Sequence, residues 1–279
     1  MQARSALFDL YGDYLRPRGG YAPVAALVRL LAPLRIAAPA VRTAVSRMVR
    51  QGWLRPLRLA GSPGYSLTPK AARRVDDAGL RIYRSTAPPW DGAFDLLVIQ
   101  SPANRAARSR LANNLAFLGY GQLPGSTWIA PRPAAEVDTL LAESGIEADR
   151  FTAAPTGGIG AAAALVHRAW DLDRLGAAYQ RFVEDLRPAT EPVTAVGDDE
   201  AAFVARFRLV HEWRSFLFRD PQLPPELLPT PWPGAIATEF FQHHAGRLRP
   251  AADRYVDTRL RDAERANATS VPTLHRGAQ

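Results

Sequence analysis

The chain has 279 residues, 47% of them hydrophobic and 22% charged, which is the balance of a globular sequence with two or three compact domains and excludes intrinsic disorder. It contains no cysteine, so disulfide frameworks, thiolate metal sites and thiol nucleophiles are excluded, and no apolar run approaches the roughly 20 residues needed to span a bilayer. The formal net charge of +8 is unevenly spread: residues 1–90 hold 15 Lys+Arg against 4 Asp+Glu, and the rest of the chain holds 20 against 23. Such an asymmetry fits a phosphate-binding module joined to modules that do not bind phosphate, and the N-terminus carries no secretory signal pattern, so a cytoplasmic location and no membrane partner are expected.

In chain order, Ser5 to Leu15 spaces Ala6, Leu7, Leu10, Tyr11 and Tyr14 helically, and the run RPRGG ends this first helix. Pro23 opens a short second helix carrying Val24, Leu27, Val28, Leu30 and Leu31, which Pro33 closes. A third helix runs from Pro39 to Arg50. It gathers Val41, Ala44, Val45, Met48 and Val49 on one side and Arg42, Thr43, Ser46, Arg47 and Arg50 on the other. Trp53 to Leu59 and Tyr65 to Leu67 read as a hairpin around a turn from Ala60 to Gly64. Thr68-Pro69 caps and starts a basic helix from Lys70 to about Arg84, after which Ala87-Pro88-Pro89 reads as a linker.

Beyond the linker, Phe94 to Ser101 is expected as a buried strand, Asn104 to Leu118 as a helix and Gln122 to Pro131 as a strand. Ala134 to Glu143 reads as a helix, and Arg150 to Ala154 and Ala162 to Ala169 as strands, with the glycine- and alanine-rich run Gly157 to Ala164 turning into the last of these. The pattern is of ferredoxin-like β-α-β type. Helices are then expected at Asp171 to Leu186, Asp198 to Phe218, Trp232 to His244 or beyond, and Ala251 to Arg265. The fold class is therefore α+β, with a winged helix-turn-helix domain at residues 1–86, a ferredoxin-like central domain at 90–169, a helical C-terminal domain at 170–265 and a loose tail at 266–279.

The third helix suggests a function. The major groove of B-DNA admits one α-helix, which must show polar groups on the face away from its own core. Arginine can bridge guanine O6 and N7 or clamp a phosphate, and serine and threonine can bond a base edge. Arg42, Thr43, Ser46 and Arg47 are thus the expected base readers, with Arg50 on the backbone and Arg55 and Arg58 of the hairpin reaching phosphates. The alternative for such a face is ordinary solvent exposure; the helical pair, the hairpin and the local charge favour DNA. The adjacent His243 and His244 point about 100° apart on a helix and suggest no metal site. No P-loop, GxSxG or GxGxxG is present, and neither a bound cofactor nor a metal is expected.

The strings SALFDLYGDYLRPRGG, VRTAVSRMVRQGWL, LTPKAARR and YRSTAPPWDGAFDLLVI, with FRLVHEWRSFLFRDPQLPPELLPTPWPGAIATEFF further on, resemble the PaaX family of phenylacetic-acid-degradation repressors from about Ser5 to Tyr255. The resemblance implies a homodimeric, non-enzymatic repressor of aromatic-catabolism genes. It would bind an operator in duplex DNA and be released by an aryl-coenzyme A thioester such as phenylacetyl-CoA. One departure concerns the hairpin tip, Leu59-Ala60-Gly61-Ser62-Pro63-Gly64-Tyr65, which is poorer in basic residues than is usual in that family. For the effector, the residue types that a CoA thioester needs occur in His211, Trp213, Arg214 and Trp232, beside Phe218; ordinary core packing is the competing reading there. An activator or dual regulator remains an alternative. A metal-dependent nuclease is a remote one, because Asp95 lies at the start of its strand without a clear acidic partner.

Overall fold

The computed structural model describes residues 1–59, 62–83, 89–100, 104–194 and 197–269. The expected turn residues Ala60 and Gly61, the linker residues Ala87 and Pro88, the termini assigned to Arg84 and Ser101 and the tail from residue 270 lie outside the described residues. The chain divides into two compact units, one of residues 1–83, 185–212 and 241–279, the other of residues 84–184 and 213–240. Among the described residues no helix is long and apolar enough to cross a membrane.

The first unit starts with α1 (Ala3–Leu10), which continues as a π-helical stretch, Tyr11–Leu15, and a 3₁₀ turn, Arg16–Arg18. It is one apolar face but not one regular helix. There follow β1 (Tyr21–Pro23), α2 (Val24–Leu31), α3 (Ala38–Arg50), β2 (Leu54–Leu59), β3 (Ser62–Leu67) and α4 (Pro69–Ile82). Leu7, Leu10, Leu27, Leu30, Val41, Val45 and Met48 form one buried cluster with Leu54 and Leu67, and Phe203, Phe207 and Tyr255 from the C-terminal helices join it. The three strands pair antiparallel in the order β1-β3-β2.

The hairpin differs from expectation. Leu59 pairs with Ser62, so β3 begins three residues earlier than the glycine- and proline-rich Ser62-Pro63-Gly64 suggests. Pro63 is accommodated although β3 is the central strand, because β1 ends its pairing at Gly64 and only β2 flanks Pro63. Gly64 is required by close approach, since a Cβ there would lie 2.5 Å from Tyr21 Cε2 and 2.6 Å from the Ala22 carbonyl oxygen.

In the second unit the order is β4 (Phe94–Ile99), α5 (Arg105–Phe117), β5 (Gly121–Gln122), β6 (Thr127–Ala130), α6 (Val137–Ser144), β7 (Ala148–Ala153) and α7 (Gly158–Ala169). The strands form an antiparallel sheet in the order β5-β6-β4-β7. Leu97, Ile99, Trp128 and Ala130 pack against Leu111, Leu115, Val137 and Leu141 of α5 and α6. On the opposite face Phe94 and Ile129 pack against Ala162 and Val166 of α7 and against Leu172, Leu223 and Leu227.

Two strand expectations are corrected here. The strand expected at Gln122 to Pro131 is two strands, β5 and β6, broken around Gly125, whose φ is +84°. The strand expected at Ala162 to Ala169 is helical. Its buried residues Ala162 and Val166 are four apart, a helical rather than alternating spacing, and the run Ala161 to Ala164 is the strongest helix-forming composition available.

The C-terminal part is helical as expected, with changed boundaries. It comprises α8 (Leu172–Thr190), α9 (Asp199–Trp213) with a 3₁₀ turn Arg214–Phe218, and α10 (Pro233–Thr269). The helices expected at Trp232 to His244 or beyond and at Ala251 to Arg265 are one helix, which continues past Arg265 into the segment assigned to the tail. Pro250 removes one helical hydrogen bond, but Ala245, Leu248, Ala251 and Ala252 around it are all buried, and their packing outweighs the local preference to break.

Candidate nucleic-acid interface

The site is built on α3. Pro39 sits in its first turn, where the missing N–H is not needed, and Ala37 enters in extended conformation. The connection from α2 closes with Arg35 in left-handed conformation (φ +61°), its N–H bonded to Ala32 O, while Ile36 N–H bonds to Leu31 O and the Ile36 side chain is buried. This hydrogen-bonded corner fixes the direction in which α3 leaves α2. Val41, Ala44, Val45 and Met48 then bury one side of α3, which packs on α1 and α2.

The opposite side carries Arg42, Thr43, Ser46, Arg47 and Arg50, all exposed, so the structure brings the five expected helix residues onto one solvent-facing strip. Arg47 and Arg50 lie in the last turn, where cations complement the negative end of the helix dipole. Chemically the strip offers guanidinium forks and hydroxyls to any surface that complements them.

Beside it, β2 is exposed from Arg55 to Leu59. Arg55 is held at its root by an Nε–H bond to Ser66 Oγ at 3.3 Å, and Arg58 stands nearer the tip. Two tyrosines tie the hairpin down, Tyr21 from β1 and Tyr11 from the π-helical stretch. Tyr21 donates its hydroxyl to Ser62 O at 2.7 Å and Tyr11 donates to Tyr65 O at 2.9 Å. Burial pushes both phenols up, so they remain donors. Thr68 accepts the Ala71 N–H as N-cap of α4 and donates to Gly52 O at 2.7 Å, joining the ends of the hairpin.

Sequence reasoning missed a buried polar node behind this surface. Arg206 of α9 is 1% exposed. Its Nε–H donates to Ala245 O at 2.9 Å, and its guanidinium also bonds the Tyr14 hydroxyl at 2.9 Å, the Tyr83 hydroxyl at 3.1 Å and the Asp13 carboxylate. Burial opposes its charge, but Tyr14, Asp13 and Tyr83 hold the guanidinium protonated. Its signal was an arginine among Phe203, Phe207 and Val210 on the apolar side of a helix. Arg18 likewise bridges Asp253 at 3.1 Å and Asp257 at 2.6 Å.

The four effector candidates are not all gathered. Trp213 and Trp232 both pack on Tyr179, with ring centroids 5.9 and 6.2 Å away, and Tyr179 stacks on Phe216 at 4.0 Å. Burial lowers the pKa of Arg214 in the adjoining turn. His211 belongs to the other compact unit, where its Nδ1 lies 2.5 Å from Asp9 Oδ2. The nuclease alternative has no support from Asp95: its carboxylate takes Arg150 Nε and Nη2 at 2.8 and 3.1 Å together with the Tyr120 hydroxyl. Among the described residues no three His, Asp or Glu are placed to hold a metal ion.

Three family models match the chain: PaaX-like protein over residues 2–71, the central Cas2-like domain of PaaX protein over 87–166, and the PaaX-like protein C-terminal domain over 170–258. The transcriptional repressor PaaX of Escherichia coli (strain K12) is 34% identical over 261 residues, covering 90% of this chain and 82% of the relative. An uncharacterized protein of Mycobacterium tuberculosis, Rv0674, shares the fold with a TM-score of 0.64 at 25% identity, over 92% of this chain and 98% of its own. The match to the repressor extends through all three regions, so the chain is a regulator of transcription and not an enzyme, and it belongs to the PaaX-like family.

Proposed function

We propose that this protein is a sequence-specific repressor that reads an operator with α3. In this reading residues 1–86 are a winged helix-turn-helix domain, with α2 and α3 as the helical pair and β2–β3 as the wing; residues 90–169 are a ferredoxin-like domain and residues 170–265 a helical domain. The observation that carries the proposal is the exposed strip Arg42, Thr43, Ser46, Arg47, Arg50 on a helix whose other side is wholly committed to the core. Arg42, Thr43, Ser46 and Arg47 contact base edges, and Arg50, Arg55 and Arg58 contact phosphates. As a homodimer making on the order of 8 phosphate contacts, the protein would bind with a log-log salt slope near −7.

The test compares two variants on an operator fragment selected from random duplexes by the protein itself. Arg47→Ala should lower affinity for the selected site by roughly 10- to 100-fold, as loss of a bidentate base contact implies, and flatten its preference over random duplex. Arg58→Ala should weaken both duplexes by the same factor and reduce the salt slope by about 0.9 per protomer. Identical patterns for the two variants would overturn this division.

Relief of repression by an aryl-CoA thioester is proposed for the same protein, supported by the family membership and by the aromatic cluster of Tyr179, Trp213 and Trp232 beside Arg214. A hundredfold loss of DNA affinity requires about 2.7 kcal/mol of differential binding between the free and DNA-bound forms. Titrating phenylacetyl-CoA against the preformed complex measures it. No release at saturating thioester would refute this part alone.

A further inference from the structure

The second unit carries a basic surface of its own, although the chain beyond residue 90 is acidic on balance. From Leu96 to Ala135 the sequence contains four arginines and no aspartate or glutamate, and three of the four, Arg105, Arg108 and Arg110, lie in the first two turns of α5. All three are exposed, and none of them has an ion pair or a side-chain hydrogen bond among the described residues. The other arginines of this unit that face acids are visibly engaged, as Arg150 is by Asp95 and Asp138.

The helix is shaped for contact on this side. Leu111 and Leu115 bury its inner face, and the residues diametrically opposite are small or short: Ala106, Ser109 and Asn113, all exposed. Arg105 and Arg110 stand about 140° apart around the helix, one on each flank of that strip. A flat, close-approaching surface therefore lies between two long cationic arms. No acid stands in the first turn, and the cations there oppose the positive end of the helix dipole, an arrangement unfavourable to the isolated helix and relieved by any anion. An extended anion with charges spaced along a backbone fits two arms flanking a flat strip better than a single small anion does.

We propose that α5 is a second DNA contact, in which Arg105, Arg108 and Arg110 hold the sugar-phosphate backbone. It rests on the DNA-binding reading of the first unit and adds affinity without sequence preference, as phosphate contacts do.

The experiment measures binding of the full chain to a labelled 40-base-pair duplex of mixed sequence between about 50 and 200 mM salt. The triple variant Arg105→Gln, Arg108→Gln, Arg110→Gln is compared with Arg168→Gln, Arg174→Gln, Arg181→Gln, which removes the same charge from exposed positions on α7 and α8 of the same unit. Each engaged arginine contributes about 0.9 to the slope, so the α5 triple should flatten it by about 2 to 3 per protomer and the control triple by less than about 0.5. Equal slopes for the α5 triple and the wild type, or equal effects of the two triples, would overturn the proposal. So would an unchanged slope with lost retention on immobilised coenzyme A, which would assign the arginines to a small phosphate ligand. A third variant, Arg42→Gln with Arg47→Gln, measured beside the α5 triple on the operator fragment that the protein selects, separates the two readings. If it alone loses binding, α3 stands and the α5 proposal falls; if it binds like the wild type, the reading of α3 fails independently.

Discussion

Removing the charge of Asp13 should destabilise the protein more than any single change on the exposed faces of α3 and β2. The Arg206 and Asp13 side chains are 1% and 7% exposed, so Asp13→Asn leaves a guanidinium buried among neutral acceptors, namely the hydroxyls of Tyr14 and Tyr83 and the Ala245 carbonyl. Breaking a buried pair from one side costs about 3–5 kcal/mol, a large share of the 5–15 kcal/mol typical of a whole domain. Arg206→Met should cost a similar amount, because Asp13 then keeps the Tyr83 hydroxyl but loses its cation. The double variant removes both charges together, and its loss should fall short of the sum of the single losses by at least about 2 kcal/mol. Hydrogen exchange of the α9 amides reads the effect locally, without assuming that the two compact units unfold together. Additivity within about 0.5 kcal/mol, or a loss below about 1 kcal/mol for Asp13→Asn, would refute the account of this node as a mutually dependent charge pair.

Gly64→Ala should cost about 1–3 kcal/mol and weaken all duplexes alike, because the new methyl meets Tyr21 and the Ala22 carbonyl and must displace the β2–β3 hairpin; unchanged thermal stability would contradict it. His244 is 7% exposed, and its Nδ1 accepts from Arg247 at 3.1 Å; burial first, then Arg247 and His243, lower its pKa from the ordinary value of about 6.5. The unfolded chain therefore takes up this proton at higher pH than the folded one. Stability should be unaffected above about pH 7.5 and fall as the pH drops through 6.5 toward the depressed folded value. His244→Asn should flatten that acid limb in a melting-temperature series, and an unchanged limb would place the dependence on other groups.

Much of the first unit was legible in the sequence because its signals are local. Pro23, Pro39 and Thr68-Pro69 mark helix starts by their own backbone chemistry, and the alternation of Val41, Val45 and Met48 with Arg42, Ser46 and Arg47 divides α3 into a buried and an exposed side. The errors came where distant packing overruled local preference. The two helices expected around His244 and Ala251 join through Pro250, where Leu248, Ala251 and Ala252 are buried on both sides of it, and Ser62-Pro63-Gly64 reads as a turn until the shortness of β1 leaves Pro63 a place in β3.

The polar nodes were hidden for a related reason: an ion pair separated by 193 residues, such as Asp13 with Arg206, has no spacing to detect. What sequence does offer is the anomaly on one side, an arginine at a position that periodicity assigns to the core. The same logic run in reverse exposes α5, where arginines occupy an exposed helix and the acids that should balance them are missing from the surrounding 40 residues. A buried arginine implies a partner inside the fold. A cluster of exposed, unbalanced arginines implies one outside it, and if α3 reads DNA as proposed, the phosphate backbone is the partner whose chemistry both clusters share.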